Sequence, residues 1–225
     1  MSEDSIPKLK HGMKLFIPGN KKGKFFHLHS AVMSSPIYPP LPGAFRQAAE
    51  LMIDAHLAAS GPHNDSLLFP VLYTYRHGLE LQLKELLLLG IRIGFFDEAA
   101  VEALLDDKKG IANEHGLYAL WNKAMELLSH SYPGDPQPKV AESMVSAVHQ
   151  IDKDGQTLRY NRTKGMKLRR PKYPNLGDDQ KGPVYEIPET IDIANLREKM
   201  AVLFHYLDSS YGGILDKWDA EREAM

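Results

Sequence analysis

Four ionisable residues stand at helical spacing in one stretch of the chain: Arg76, His77, Glu80 and Lys84. Residues three and four apart are neighbours on a helix surface, so Arg76 and Lys84 each lie one turn from Glu80 and His77 lies three positions from it. Such a set can gather cations on one carboxylate, hold an anion, or move a proton through the imidazole. A second set is purely electrostatic. Arg159, Arg162, Lys164, Lys167, Arg169, Arg170, Lys172 and Lys181 share one segment whose only acids are Asp178 and Asp179. Lysine and arginine at that density contact phosphates and release counterions. Tyr160 and Tyr173 beside them can stack on an unpaired base. A solvated basic loop has the same composition, and both readings stand.

Other chemistries find less support. His27 and His29 alternate as two metal ligands on a strand might, but local spacing supplies no third ligand. The helical zinc motif of two histidines four apart with a glutamate between them is absent, as are glycine-rich phosphate loops and Gly-x-Ser-x-Gly. Cysteine is absent from the sequence, which excludes disulfide scaffolds, thiolate metal sites and cysteine nucleophiles. No metal and no cofactor are expected. Trp121, Trp218, Met125, Met144 and Met200 read as packing residues.

The chain has 225 residues, 43% apolar and 25% charged, with a formal net charge of −2. This is ordinary globular composition, and the whole protein is not a polyelectrolyte binder. The longest apolar run, Leu86 to Phe96, is too short to span a bilayer and carries Arg92. No basic-then-apolar segment opens the sequence, so a cytoplasmic protein with no membrane partner is the expectation.

The elements that must position these residues are mostly helical. Residues 1–42 form an N-terminal part. In it Met13 to Ile17 and Lys24 to His29 read as a small β-hairpin around Pro18 to Gly23. Pro36, Pro39, Pro40 and Pro42 then form a stiff connector without regular structure. Residues 43–225 form a helical domain. Helices are expected over Phe45 to Ala59, from an Asp65 or Ser66 cap to about Gly90 or Gly94, over Glu98 to Asp107, and from an Asn113 cap through Ser129. A fifth should run from Lys139 to about Arg159, with Val140, Met144, Val148, Ile151 and Leu158 on its inner face. Residues 160–188 read as an irregular basic loop. Asp192 should cap the last helix, and Gly212-Gly213 should weaken or break it.

On the second of these helices, Leu68, Leu72, Tyr75, Leu79, Leu83 and Leu86 share the core face. Thr74, Gly78, Gln82 and Glu85 make a face that can meet water, and Tyr73, Arg76, His77, Glu80 and Lys84 make a second polar stripe. A surface helix needs one polar face, so two imply that one is shielded and its charges paired. An exposed stripe with ordinary salt bridges, a buried structural network and a ligand-binding site all remain open.

The run Tyr75-Arg-His-Gly-Leu-Glu-Leu-Gln-Leu-Lys-Glu-Leu-Leu87 is followed by His115-Gly-Leu-Tyr-Ala-Leu-Trp121. Leu158-Arg-Tyr160, a proline- and glycine-rich stretch and a final amphipathic helix come later. This order, over about residues 44–210, resembles the HEPN superfamily of small helical proteins. The likeness is strongest to uncharacterised prokaryotic members with an R-H-x-L-E-L-x-L-K helix, an H-x-L-x-x-L-W helix and an R-Y element. The resemblance implies an all-α, HEPN-like bundle of about six helices that often dimerises and serves prokaryotic defence or toxin–antitoxin systems.

Many members of that family cleave RNA without a metal, using an arginine followed, after four to six residues, by a histidine. That spacing is absent here. Arg197 and His205 are separated by seven residues and Arg46 and His56 by nine. The family's catalytic residues therefore do not carry over. A divergent site could be assembled from Arg76, His77, Glu80, His115, Arg159 and Tyr160, histidine serving as base and arginine steadying phosphorane charge. The same residues could lock the bundle together, which is the favoured expectation. The functional expectation is a protein that binds RNA or a nucleotide through the basic loop and the polar stripe, without the family's ribonuclease motif. Its expected partners are RNA or a nucleotide, a second copy of the chain, and a cognate antitoxin-like protein. A helical interaction module with no nucleic-acid role and a divergent metal-independent ribonuclease are the alternatives.

Overall fold

Two of the prolines expected to hold a stiff connector, Pro40 and Pro42, fall instead in the opening turn of a helix. A proline there gives up only an N–H that has no partner within the helix, and its fixed φ suits the turn. A computed structural model describes residues 40–58, 67–97, 99, 114–153, 155, 158 and 191–224. Among the described residues the architecture is all-α, with five helices: α1 Pro40–Ala58, α2 Leu68–Arg92, α3 Leu117–Ser131, α4 Gln137–Ile151 and α5 Ile193–Glu223. Leu41–Met225 forms one unit and Met1–Pro40 another. The expected hairpin, nearly all of the expected helix over Glu98 to Asp107, and the loop 160–188 lie outside the described residues.

The centre of the bundle is α2, which packs on α3 and α5, while α4 packs on α3. Its expected core face is in place: Leu79, Leu83 and Leu86 are fully buried, and Leu72 and Tyr75 nearly so. Each such leucine contributes about 1.5–3 kcal/mol on leaving water. Trp121 of α3 and Phe204 and Leu207 of α5 close the same core. The helix α1 lies along α2 and α5. Gly78 makes the approach possible, because a Cβ there would stand 3.1 Å from both Phe204 and Phe45, and Arg197 of α5 bonds Asp54 of α1 at 2.6 Å.

The face of α2 expected to meet water is largely covered as well. Gly78 and Gln82 are buried and Thr74 and Glu85 half-buried. Gln82 reaches Asp208 of α5, where burial pushes the carboxyl upward and Arg46, Gln82 and His205 oppose that rise. The reason is topological: α2 is enclosed by neighbours on more sides than one amphipathic stripe would need.

Several boundaries differ from expectation, each for a local reason. Helix α2 has Leu67 as its N-cap, not Asp65 or Ser66, and ends at Arg92, within the expected range, with Gly94 just beyond it at φ 74. The N–H groups of Phe95 and Gly94 turn back to the carbonyls of Gly90 and Ile91 at 2.9 and 3.0 Å, which satisfies the helix end. Helix α3 is capped at Gly116, not Asn113, and Glu114 accepts the Gly116 N–H. Helix α4 stops at Ile151, eight positions short of Arg159, because Asp152 leaves helical geometry and Gly155 adopts φ 70. Of its expected inner face, Met144 and Val148 pack partly buried against the core, the fully covered positions are Pro138, Ala141 and Val145, and Val140 is exposed.

Asp192 caps α5, accepting the Asn195 N–H at 3.0 Å. The helix then runs unbroken through Gly212-Gly213. The hydroxyl of Tyr132 occupies the space where a Gly213 side chain would stand, so that glycine serves packing, and tertiary contact outweighs its poor helix propensity. No described helix is long and apolar enough to cross a membrane.

Gly90 is the tightest such point in α2, since a Cβ there would sit 2.7 Å from Cε2 of the buried Phe96 ring. Gly90→Val should cost about 1–3 kcal/mol by overpacking, read as a lower urea midpoint. An unchanged midpoint would contradict this packing.

Candidate functional site

Arg76 is fully buried, and its guanidinium reaches three separate parts of the chain. Nη1 donates to Glu80 Oε2 at 2.8 Å within α2. Nη2 donates to the carbonyl of His115, just before α3. Nε lies 3.1 Å from Asp152 Oδ2 and donates to the Asp152 carbonyl at 3.2 Å, at the end of α4. Gly155 lies flat on the group, because a Cβ there would be 3.0 Å from Nη2. A positive φ and this close approach both call for glycine.

Glu80 is the anionic counterpart. Its Oε1 accepts from Lys84 Nζ at 2.9 Å and from His115 Nδ1 at 2.9 Å, while Oε2 accepts from Arg76. Burial alone would raise this carboxyl. The hydrogen bonds from His115, Lys84 and Arg76 outweigh burial and hold it at about 2. An ionised carboxylate can only accept, so His115 carries a proton on Nδ1. The His115 side chain is 44% exposed, against 2% for Glu80 and 11% for Lys84. The network therefore has one outward-facing group, an imidazole whose orientation is fixed from inside.

The sequence-predicted residues divide accordingly. Arg76, Glu80, Lys84 and His115 come together, and the stripe on α2 is shielded. His77 packs its ring edge-on against Phe45 at 4.5 Å and parallel to Tyr73 at 5.9 Å, which places it against α1. Arg159 and Tyr160, and Arg162, Lys164, Lys167, Arg169, Arg170 and Lys172, lie outside the described residues. Arg159 was expected at the end of the α4 helix, but that end delivers Asp152.

Asp152 and His149 are the members that the sequence did not reveal. Asp152 is fully buried yet sits 76 positions from Arg76, so no local periodicity points to it. Burial lowers the His149 imidazole, Lys153 and Arg76 lower it further, and Asp152 and Glu114 oppose them. His149 therefore borders the same network. Among the described residues no group of three or more His, Asp or Glu is placed to hold a metal ion.

The chain matches no protein-family model, no curated protein and no solved structure. Fold and site together describe a helical protein whose central arginine–carboxylate network presents one histidine to its surroundings.

The Glu80 geometry fixes a pH dependence. Its carboxyl is held below the ordinary 4.5, so its contribution to stability is complete above that value and is lost as pH falls toward about 2. Thermal melting should therefore be lowered progressively below pH 4.5, and Glu80→Gln, though less stable at neutral pH, should show a shallower acid decline. Parallel acid declines in the two proteins would contradict the assignment.

Proposed function

We propose that this chain is a HEPN-like helical protein that binds RNA or a nucleotide, serving a prokaryotic defence or toxin–antitoxin type of system. Its role is binding rather than cleavage by the family's arginine–histidine motif. The observation that carries the reading is the His115–Glu80 pair. A half-exposed imidazole is held at 2.9 Å by a buried carboxylate beside a buried arginine. With its Nδ1 proton given to Glu80, the ring presents Nε2 outward, where it can accept from a ribose hydroxyl, or donate to a phosphate oxygen when the ring is protonated.

The basic segment from Arg159 to Lys181 supports the same ligand class from the sequence. It concentrates eight cations against two anions in a chain whose net charge is −2. Such a charge excess attracts polyanions over distances of about a Debye length and adds affinity with little sequence preference. Arg162, Lys164, Lys167, Arg169, Arg170 and Lys172 would supply that component, and His115, the network's outward-facing member, would contact the ligand. The motif order Arg76-His-Gly-Leu-Glu80, His115 to Trp121 and Arg159-Tyr160 is what relates the reading to HEPN proteins.

The test is the salt dependence of RNA binding. A single-stranded RNA should bind at low salt, with log affinity falling linearly against log salt by about 0.7 per phosphate contact. Neutralising Arg162, Arg169 and Arg170 together should flatten that slope by about two units. Absence of binding at low salt, or an unaltered slope in the triple variant, would overturn the proposal.

A further inference from the structure

Next to the His115–Glu80 pair is an aromatic arrangement that the network does not require. Tyr118 stands in the first turn of α3, three positions after His115, and is 40% exposed. Its ring stacks on that of His149 from the last turn of α4, with centroids 5.9 Å apart and planes 27° from parallel. The rings thus come from two different helices. One side of Tyr118 is turned to His149, and the residue keeps 40% of its surface exposed.

Two features fit this pair to a planar ligand. The first is charge. Burial, with Lys153 and Arg76 adding to it, disfavours protonation of His149. The pair therefore presents neutral π surface rather than a cation. The second is rigidity. Tyr118 is anchored on a helix and already braced by a second ring, so little side-chain freedom is left to lose when something stacks on it.

The surroundings specify the rest of the ligand. Lys153 is exposed just past the end of α4, and the half-exposed His115 ring precedes Tyr118. A flat, uncharged ring flanked by anionic groups is the chemistry of a nucleotide unit within a single strand. Base stacking on aromatic side chains is tolerant of sequence, because every base has a π face.

We propose that the Tyr118–His149 pair is a stacking platform for one unpaired base of a single-stranded RNA, with Lys153 meeting an adjoining phosphate and His115 accepting from a ribose hydroxyl. This rests on the RNA reading above and assigns it a base-contacting surface at residues that the sequence reading did not single out. A duplex, whose bases are stacked internally, would not engage the platform. A protein partner seated on Tyr118 is the competing occupant, and the experiment separates it.

The probe is a short oligouridylate carrying one 2-aminopurine, whose fluorescence is quenched by stacking. It would be compared with its duplex form and with a strand of the same length that is abasic throughout. Wild-type protein should quench the single strand and not the duplex, and should bind the abasic strand about tenfold more weakly. Tyr118→Leu should lose most of the quenching and about tenfold in affinity, and Tyr118→Trp should retain both. The retained salt slope and thermal midpoint of Tyr118→Leu would show that the basic segment and the fold are intact. RNA binding with equal quenching in wild type and Tyr118→Leu, or with equal affinity for the abasic strand, would overturn the platform while leaving RNA binding standing. The same result is expected if Tyr118 serves a protein partner. No binding of any strand at low salt would overturn both proposals together.

Discussion

A buried guanidinium sets the terms for the rest of this molecule. Taking Arg76 out of water costs several kcal/mol unless its donors are satisfied and its charge is matched. Here two carboxylates, Glu80 and Asp152, match it, and two main-chain carbonyls, of His115 and Asp152, take further donors. Those partners come from within α2, from the residue two positions before α3 and from the residue after α4. The three chain segments must therefore arrive together, and a change in the path of any one strands a charge in the interior. Apolar packing makes the bundle stable, and this network makes its arrangement specific.

The glycines belong to the same logic. Gly155 lets the chain lie against the guanidinium plane, Gly78 lets α1 and α5 close on α2, and Gly213 leaves room for the Tyr132 hydroxyl. None of them marks a weak point in the fold. Each sits where a neighbouring group occupies the volume that a side chain would need. Around α2 this close approach leaves little room for water, which is why the Glu80 carboxylate depends so fully on its three donors.

Local periodicity carried much of the architecture in readable form. The leucine stripe of α2, the four-residue spacing of Arg76, Glu80 and Lys84, and the Asp192 cap are all encoded within one or two helical turns, and the coordinates place them as expected. The features that were not legible depend on distant contacts. Asp152 enters the network only because α4 stops at Ile151, and that stop reflects burial of the carboxylate and the left-handed turn at Gly155. In a helix continued to Arg159 that acid would be an ordinary mid-helix residue, with nothing in its spacing to mark it. Gly212-Gly213 looked like a break because helix propensity is local, whereas α5 is held through that point by its neighbours. Spacing places Val140 on the inner stripe, but α4 is rotated so that Ala141 and Val145 face α3.

The candidate site is thus a structural network with one outward-facing member, and its chemistry follows from that asymmetry. Inside, Arg76 and Asp152 fix the framework; outside, His115 carries the framework's rigidity to the surface. The direct measure of this account is a double-mutant cycle on urea unfolding with Arg76→Met and Asp152→Asn. Two partners in one buried network should couple by about 1–3 kcal/mol, so that the double variant loses much less stability than the sum of the single losses. Losses that add to within about 0.5 kcal/mol would mean that the guanidinium and the α4 carboxylate do not act together, and the account would be wrong at its centre.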